Sequence, residues 1–209
     1  MRIAGIWIIL LGVSMGVMGC AAGPQLNPVT NQTQRLEFEG FSILPPHGEN
    51  WFSLPSARLK QLGPYWIASF YKMPAPRSKG HTITAWVRAG RLPIAIENRA
   101  EFLQNFPMVN FAKTERHRPV LVNISPDRTL AADCVRYDGM TEDRGVPGHQ
   151  GSVFIWDQHG FACLHPDLPN TFIEIQYSQR RPQADPPMSL EAEGEPFLKS
   201  LAFNKLPGR

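Results

Sequence analysis

Residues 152–178, SVFIWDQHGFACLHPDLPNTFIEIQYS, decide the fold that the sequence predicts. They contain three short segments rich in aromatic and β-branched residues, which favour strands. Turn-forming residues separate these segments, as at residues 157–160, DQHG. Strands with such local connections pair with their neighbours in an antiparallel sheet. The predicted strands are residues 152–157, 160–165 and 171–178.

The same pattern extends outward on both sides of this stretch. Two further segments lie before it, and a long turn cluster, DGMTEDRGVPGHQG, follows the second of them. Near the amino end, residues 81–88 alternate cleanly, with Ile83, Ala85 and Val87 on one face. The additional predicted strands are residues 36–43, 51–54, 65–72, 81–88, 119–124 and 130–137.

Two segments have helical character. Residues 96–106 place Ile96, Ala100, Leu103 and Phe106 at helical spacing, and Pro107 ends the segment. Residues 189–203 are helical in composition, although Gly194 and Pro196 are expected to shorten or kink that helix. The predicted fold class is therefore α+β, with an antiparallel sheet of about six to seven short strands, one mid-chain helix and one carboxy-terminal helix.

The amino terminus predicts the cellular location of the protein. Residues 1–20, MRIAGIWIILLGVSMGVMGC, carry one charge and then an apolar run that closes on Val17-Met18-Gly19-Cys20. This ending resembles the lipobox of bacterial lipoprotein precursors, in which cleavage before the cysteine, here between Gly19 and Cys20, leaves a lipidated first residue. A membrane-spanning helix would need about 20 apolar residues, and a plain secretory signal would need no cysteine. The resemblance implies a signal peptide over residues 1–19 and lipidation at Cys20.

The segment after the cysteine predicts how the domain is attached. Residues 20–35 are small, polar and broken by prolines, which is typical of a flexible tether. Residues 36–209 then form a single periplasmic domain. The residue after the cysteine is Ala21, where an aspartate would retain lipoproteins in the inner membrane of enteric-type bacteria. By resemblance, Ala21 therefore points to the outer membrane.

Composition excludes some functions and suggests a disulfide. Removing residues 1–19 leaves 190 residues with 20 basic and 18 acidic side chains, a formal charge of +2. The basic residues are scattered, so we do not expect nucleic acid as a partner. Once Cys20 is lipidated, Cys134 and Cys163 remain. In an oxidising compartment they are expected to form a disulfide, the alternative being two buried thiols.

A family resemblance spans residues 36–205. The segments GFSILPPHGENW, HTITAWVRAGRLP, CVRYDGMTEDRGVPG, CLHPDLPNTFIEIQYSQR and EPFLKSLAF resemble a family of uncharacterised proteobacterial lipoproteins. The element order also resembles the PsbP-like fold, an αβα sandwich. Members of that fold mostly bind or help assemble larger complexes, so the resemblance implies a non-enzymatic binding or assembly module with an envelope protein partner and no cofactor.

Few residues suggest chemistry. Arg180 and Arg181 follow a predicted strand and could hold an anionic ligand by bidentate contacts, or be solvated or paired residues. Together with His165 they are the candidate ligand-binding residues. His165, Asp167 and Ser178 supply the residue types of a hydrolytic triad, so the alternative function is an envelope hydrolase using His165 with a serine. The spacing of His149, His159 and His165 matches no compact metal-ligand motif, so no metal site is predicted.

Overall fold

The computed structural model describes most of the chain after the predicted signal peptide. The described residues are 26–53, 65–73, 80–92, 96–130, 132–168, 170–187, 189 and 191–204. Gly19, Cys20 and the first part of the predicted tether lie outside them, as does the segment between residues 53 and 65. No helix among the described residues has the length and apolar character needed to span a membrane.

Most of the strand residues in the described chain belong to one eight-stranded antiparallel sheet. The strand order is β1-β4-β5-β6-β10-β9-β8-β7. Thus β7 to β10 form a meander that returns to pair with β6. The strands are β1 (Asn27–Pro28), β4 (Trp51–Ser53), β5 (Tyr65–Lys72), β6 (Thr82–Arg91), β7 (His117–Asp127), β8 (Asp133–Asp143), β9 (Phe154–Leu164) and β10 (Thr171–Pro182).

A small second sheet and two short helices complete the described fold. The sheet has the order β11-β3-β2, formed by β2 (Leu36–Phe38), β3 (Phe41–Ile43) and β11 (Ala202–Phe203). Helix α1 (Arg99–Asn105) continues into a 3-10 helix (Phe106–Phe111), and helix α2 is Glu191–Lys199. The side chain of Asn98 caps α1 by accepting from the backbone N–H of Glu101.

Each face of the large sheet packs against different elements. On one face, here called the α2 face, the apolar core joins β6 and β10 to α2 and to the small sheet through residues such as Ile173, Phe197 and Phe41. On the other, the α1 face, Leu103 and Phe111 pack against Tyr137 and Phe172. Side chains alternate between the two faces along each strand, so neighbouring residues belong to different environments.

The predicted α+β class with six to seven short strands is wrong, because the strands are longer and more numerous than expected. Residues 157–160, predicted to be a turn, lie inside β9, and the predicted turn after residue 137 is strand up to Asp143. Gln158 in the first of these segments is fully buried between paired strands. Long-range pairing therefore overrides the turn preference of polar residues and glycine. The helices are correspondingly shorter than predicted, seven and nine residues.

The folded chain begins before the predicted domain boundary at residue 36. Strand β1 pairs with β4, and the side chain of Arg35 donates hydrogen bonds to the hydroxyl and the carbonyl oxygen of Ser42, at 2.8 and 2.9 Å. The side chain of Gln32 also bonds the backbone of Gly48. Residues 26–35, which the sequence assigns to a flexible tether, are thus attached to the domain.

The expected disulfide is confirmed. Cys134 on β8 and Cys163 on β9 lie directly opposite each other in the strand register and are bonded, with their Cα atoms 4.1 Å apart. Both residues are buried in the core of the α2 face. The bond therefore links two neighbouring strands, β8 and β9, near the β7 edge of the sheet.

Candidate functional site: a polar cavity beneath helix α2

A cavity of about 590 Å³ lies between α2 and strands β8, β9 and β10. Pockets that bind small molecules have volumes of about 300–1,000 Å³, so this one is large enough for a ligand. Its described lining combines apolar residues with charged ones. The apolar and aromatic part includes Met140, Tyr177, Pro187 and Leu198, and the charged part comprises Arg136, Asp138, Asp157, Arg181, Glu191 and Glu195 beside His159.

Strand register brings these side chains together. Asp138, His159 and Tyr177 are direct cross-strand neighbours on β8, β9 and β10, and all three point to the α2 face. Residues two positions away on each strand return to the same face. Arg136, two positions from Asp138, and Arg181, four positions from Tyr177, therefore also line the cavity. Every second residue of three neighbouring strands thus contributes to the cavity floor.

Arg136 is the centre of a charged network at the cavity. Its guanidinium donates to a carboxylate oxygen of Glu195 on α2 and, from Nε, to Asp138 Oδ2 at 3.3 Å. The hydrogen bond to Glu195 raises the pKa of Arg136 and lowers that of Glu195. The network ties the helix to the sheet at one side of the cavity.

Asp138 connects this network to His159. Nδ1 of His159 lies 2.7 Å from Asp138 Oδ1, and the His159 side chain is 45% exposed, so one edge of the ring faces solvent. Burial opposes ionisation of Asp138, but the hydrogen bonds from His159 and Arg136 outweigh it and lower the pKa of Asp138. The carboxylate therefore stays ionised at neutral pH.

Three other polar atoms of residues that line the cavity make no hydrogen bond among the described residues. Tyr177 is 1% exposed, yet its hydroxyl makes no hydrogen bond, and burial raises the pKa of that phenol so that it remains neutral. Arg181 Nε and Asp157 Oδ2 form an ion pair at 3.5 Å, although neither atom makes a hydrogen bond. Buried polar groups are usually satisfied, so these atoms are exceptions, but they have almost no accessible surface and are not reached from the cavity.

Helix α2 approaches the cavity floor closely because of Gly194. A Cβ atom at this position would lie 3.0 Å from Cδ1 of Tyr177. Any larger side chain would therefore push the helix away from β10. Pro196 lies inside the same helix without ending it.

The structure separates the two arginines that the sequence proposed as a ligand site. Arg181 lines the cavity, and its Nη1 also donates to the carbonyl oxygen of Asp185 at 2.6 Å. Arg180 is its neighbour on β10 and points to the opposite, α1 face, where Nη1 lies 3.3 Å from Asp143 Oδ2. The pair cannot grip one ligand together.

His165 lies outside the cavity in a turn after β9. Its Nε2 donates to the carbonyl oxygen of Gly40 at 2.7 Å, and its Nδ1 accepts from the backbone N–H groups of Asp167 and Leu168 at 3.0 Å. Gly40 has a φ of +85° in the turn between β2 and β3, and a Cβ there would collide with the imidazole. His165 is thus a buried residue that joins two turns, with both ring nitrogens occupied.

The hydrolytic residues named from the sequence are not brought together. Ser178 Oγ lies 2.8 Å from Thr84 Oγ1 on the α1 face. Along β10, Ser178 is seven positions from Thr171, a separation of about 23 Å at the usual rise of a strand. The carbonyl oxygen of Thr171 accepts from the backbone N–H of His165, so His165 lies at the far end of β10 from Ser178. His149 and His159, which the sequence analysis considered with His165 as metal ligands, are not brought together either. His149 packs on Phe154, whereas His159 forms a hydrogen bond with Asp138. No group of three or more possible metal ligands occurs in the described part of the chain.

Sequence reasoning missed most of the cavity residues. The sequence pattern predicts turns at Asp138 and His159, and it identifies Glu195 and Tyr177 only as parts of a helix and a strand. The available signal was the alternation of Arg136, Asp138 and Met140, which continues the strand pattern of the preceding residues. The glycine between Asp138 and Met140 obscured it.

Comparison with known proteins adds no identification. No model of a known protein family matches the sequence, and no curated protein matches it either. The cavity therefore has to be interpreted from its own geometry and charge.

Proposed function

We propose that the protein is a lipid-anchored, non-enzymatic binding protein of the cell envelope, which holds a small ligand in the cavity beneath α2. The observation that supports ligand binding most directly is the cavity itself, whose volume of about 590 Å³ and mixed apolar and charged lining suit a small ligand. A preformed pocket with apolar walls and a few polar groups that orient the ligand is the usual form of a ligand site. The lipobox-like sequence that ends at Cys20 supports a location in the cell envelope.

A binding role without catalysis is supported by the state of the candidate catalytic groups. His165 has no free ring nitrogen, and Ser178 contacts Thr84 instead of a base. Nucleophilic catalysis needs a nucleophile within hydrogen-bond reach of its base. We also propose that the domain binds a protein partner in the envelope. The lipid anchor would keep the domain at the membrane surface.

The anchor is tested by a Cys20→Ser variant expressed in a bacterium that processes lipoproteins. Incorporation of labelled fatty acid should disappear, and the domain should leave the membrane fraction. Membrane attachment that persists without label would show that residues 1–19 are retained as an anchor. That result would overturn the lipid-anchored part of the proposal.

Ligand binding is tested by calorimetric titration of the protein purified from membranes in a non-ionic detergent. The probes are maltose, citrate, spermidine and argininamide, which differ in charge and hydrogen-bonding groups. The matched pair of variants is Ser189→Trp, which fills the cavity from its lining, and Val109→Trp, which adds the same side chain at a residue 68% exposed on the 3-10 helix. Binding of at least one probe, lost only in Ser189→Trp, is the expected result. Absence of binding by all four would overturn a small-ligand function.

A further inference from the structure

We propose that the domain stands on the lipid bilayer with the edge of the large sheet at β1, so that β7 lies furthest from the membrane. The contacting surface, here called the β1 edge, consists of residues 27–34, which are β1 and the segment that follows it. This inference rests on the proposed function, because the lipid on Cys20 supplies the attachment. It adds which side of the domain touches the membrane.

The first support is the short chain between the lipid and the fold. Strand β1 begins at Asn27, seven residues after Cys20. Seven residues span at most about 25 Å when fully extended, and a flexible chain of that length has a mean reach of about 15 Å. Strand β1 is held in the sheet by its pairing with β4. The bilayer that holds the lipid is therefore close to the β1 edge.

The second support is the position of this attachment point in the sheet. Strand β1 is the first of the eight strands across the sheet and β7 is the last. The cross-strand register that starts at Asn27 and Ser53 continues through Tyr177 and ends at Asn123 on β7. Seven strand spacings separate Asn27 from Asn123, which is about 34 Å along the sheet. A bilayer that touches the β1 edge of an upright domain does not reach β7.

The third support is that the β1 edge carries no charge. Residues 21–34 contain no charged side chain, and Asn27, Pro28 and Thr30 are exposed. Contact with lipid headgroups removes water from side chains, which costs more free energy for charged groups than for neutral ones. Amide and hydroxyl side chains also carry hydrogen-bond donors that suit the phosphate oxygens of the headgroups. The chemistry of this edge therefore fits the membrane interface.

The same tether would also allow the domain to lie flat, so the two faces have to be compared with the edge. On the α1 face, Glu97 and Glu101 are exposed at helix α1, and on the α2 face, Glu191 and Lys199 are exposed on α2. Contact by either face would remove water from these charged groups. Val109 is 68% exposed on the 3-10 helix and is the residue that favours the α1 face, so its position belongs in the test.

The experiment places a fluorophore on each surface and measures its quenching by a nitroxide attached to lipid headgroups. The lipidated protein is purified in detergent and reconstituted into phosphatidylcholine vesicles. Asn27→Cys and Asn123→Cys are the matched pair, since they replace the same residue at the two ends of one cross-strand row, and Val109→Cys and Glu191→Cys report the two faces. The cysteines of the protein itself do not react, because one carries the lipid and the other two form the disulfide.

We expect the label at Asn27→Cys to lose most of its fluorescence and the other three labels to lose little. Thr30→Cys is a second exposed position of the β1 edge and should respond in the same way, which keeps the test valid if the first variant folds poorly. Quenching at Val109→Cys or Glu191→Cys as strong as at the β1 edge would overturn the inference, because the domain would lie on that face. Equal quenching of all labels would overturn it as well, because the domain would have no fixed orientation.

Adding Cys20→Ser to the labelled variants separates this inference from the proposed function. All quenching should then disappear, since no lipid holds the domain at the vesicle. A protein that incorporates no fatty acid would overturn the anchor, and with it the basis of the orientation. A lipidated and membrane-bound protein in which the β1 edge is quenched no more than the faces would overturn the orientation alone.

Discussion

The two faces of the large sheet both contain buried charge, but they treat it differently. On the α1 face, the carboxylate of Glu174 is fully buried and accepts from Arg88, Asn110 and Tyr137. On the α2 face, the carboxylates of Asp138 and Glu195 around Arg136 border a cavity, and their side chains are about one third exposed. The difference is one of covering: the 3-10 helix supplies Asn110 directly above Glu174, whereas α2 encloses a space beneath it.

This comparison distinguishes a closed charged network from one that borders a cavity. The Glu174 network is closed, since each carboxylate oxygen has a donor, and burial together with Glu174 raises the pKa of Tyr137 well above its usual value. Such a network specifies how the elements pack. The network beneath α2 serves the same purpose at one side of the cavity only.

The largest expected effect comes from breaking the closed network. Arg88→Met should lower the free energy of unfolding by about 3–5 kcal/mol, because it leaves the Glu174 carboxylate buried with fewer donors. Arg136→Met, at the cavity, should cost about 1 kcal/mol or less, since the side chains of Asp138 and Glu195 are about one third exposed and can be hydrated. Urea denaturation measures both. Equal costs would show that the two networks do not differ in the proposed way.

The second effect concerns the covalent bond in the core of the α2 face. Replacing Cys134 and Cys163 by serine should lower the free energy of unfolding by about 3.5 kcal/mol, as expected for a loop of 29 residues. Denaturation of the double variant measures this, with the reduced wild-type protein as the control. If the oxidised and reduced wild-type proteins are equally stable, the disulfide contributes no stability and this face depends on packing alone.

The third effect tests the charges of the α1 face through pH. The Asp143 side chain is buried, and although burial opposes its ionisation, the hydrogen bonds from Arg116 and Gly145 lower its pKa to about 2. Arg180 and His117 also approach it. Because the folded pKa is below the unfolded value of about 3.9, the ionised carboxylate stabilises the fold by about 2 kcal/mol above pH 4, and this contribution is lost as the pH falls towards 2.

An Asp143→Asn variant makes that dependence measurable. Its deficit in unfolding free energy relative to the wild type should be full at pH 6 and should shrink between pH 4 and pH 2. Asp133→Asn, at a side chain that is 64% exposed, is the matched control and should show no comparable deficit. A deficit for Asp143→Asn that does not change over this range would contradict the assigned shift.

The smallest effect probes how closely α2 covers its face. Gly194→Ala gains about 1 kcal/mol of helix propensity but forces the new methyl group against the Tyr177 ring at 3.0 Å, which costs about 1–3 kcal/mol. The net result should be a loss of about 1 kcal/mol in thermal or urea denaturation. Ala192→Gly, at an exposed position of the same helix, measures propensity alone. A stabilised Gly194→Ala variant would mean that α2 moves freely and that the cavity is not rigid.

Much of the sheet could be predicted from the sequence where the alternation is uninterrupted. Strands β5 and β6 lie close to their predicted ranges, because Ile83, Ala85 and Val87 form a clear apolar face. The predictions failed where polar residues and glycine are buried, as at Gln158 and Gly160 in β9. A Cβ at Gly160 would meet the Tyr137 ring and the carbonyl of Ile175, so this glycine permits close packing inside a strand and does not mark a turn.

By itself, the sequence determined the local preferences of the described chain, its near-neutral charge and the pairing of Cys134 with Cys163, because these depend on neighbouring residues and on simple counting. Only the tertiary structure decided that Arg180 and Arg181 point to opposite faces of the sheet and that His165 is hydrogen-bonded to Gly40. It also decided that Asp138, His159 and Glu195 line the same cavity. The physical reason is that strand register and the approach of a distant helix depend on burial across the whole sheet. A change of one residue in register would exchange the two faces and dissolve the site.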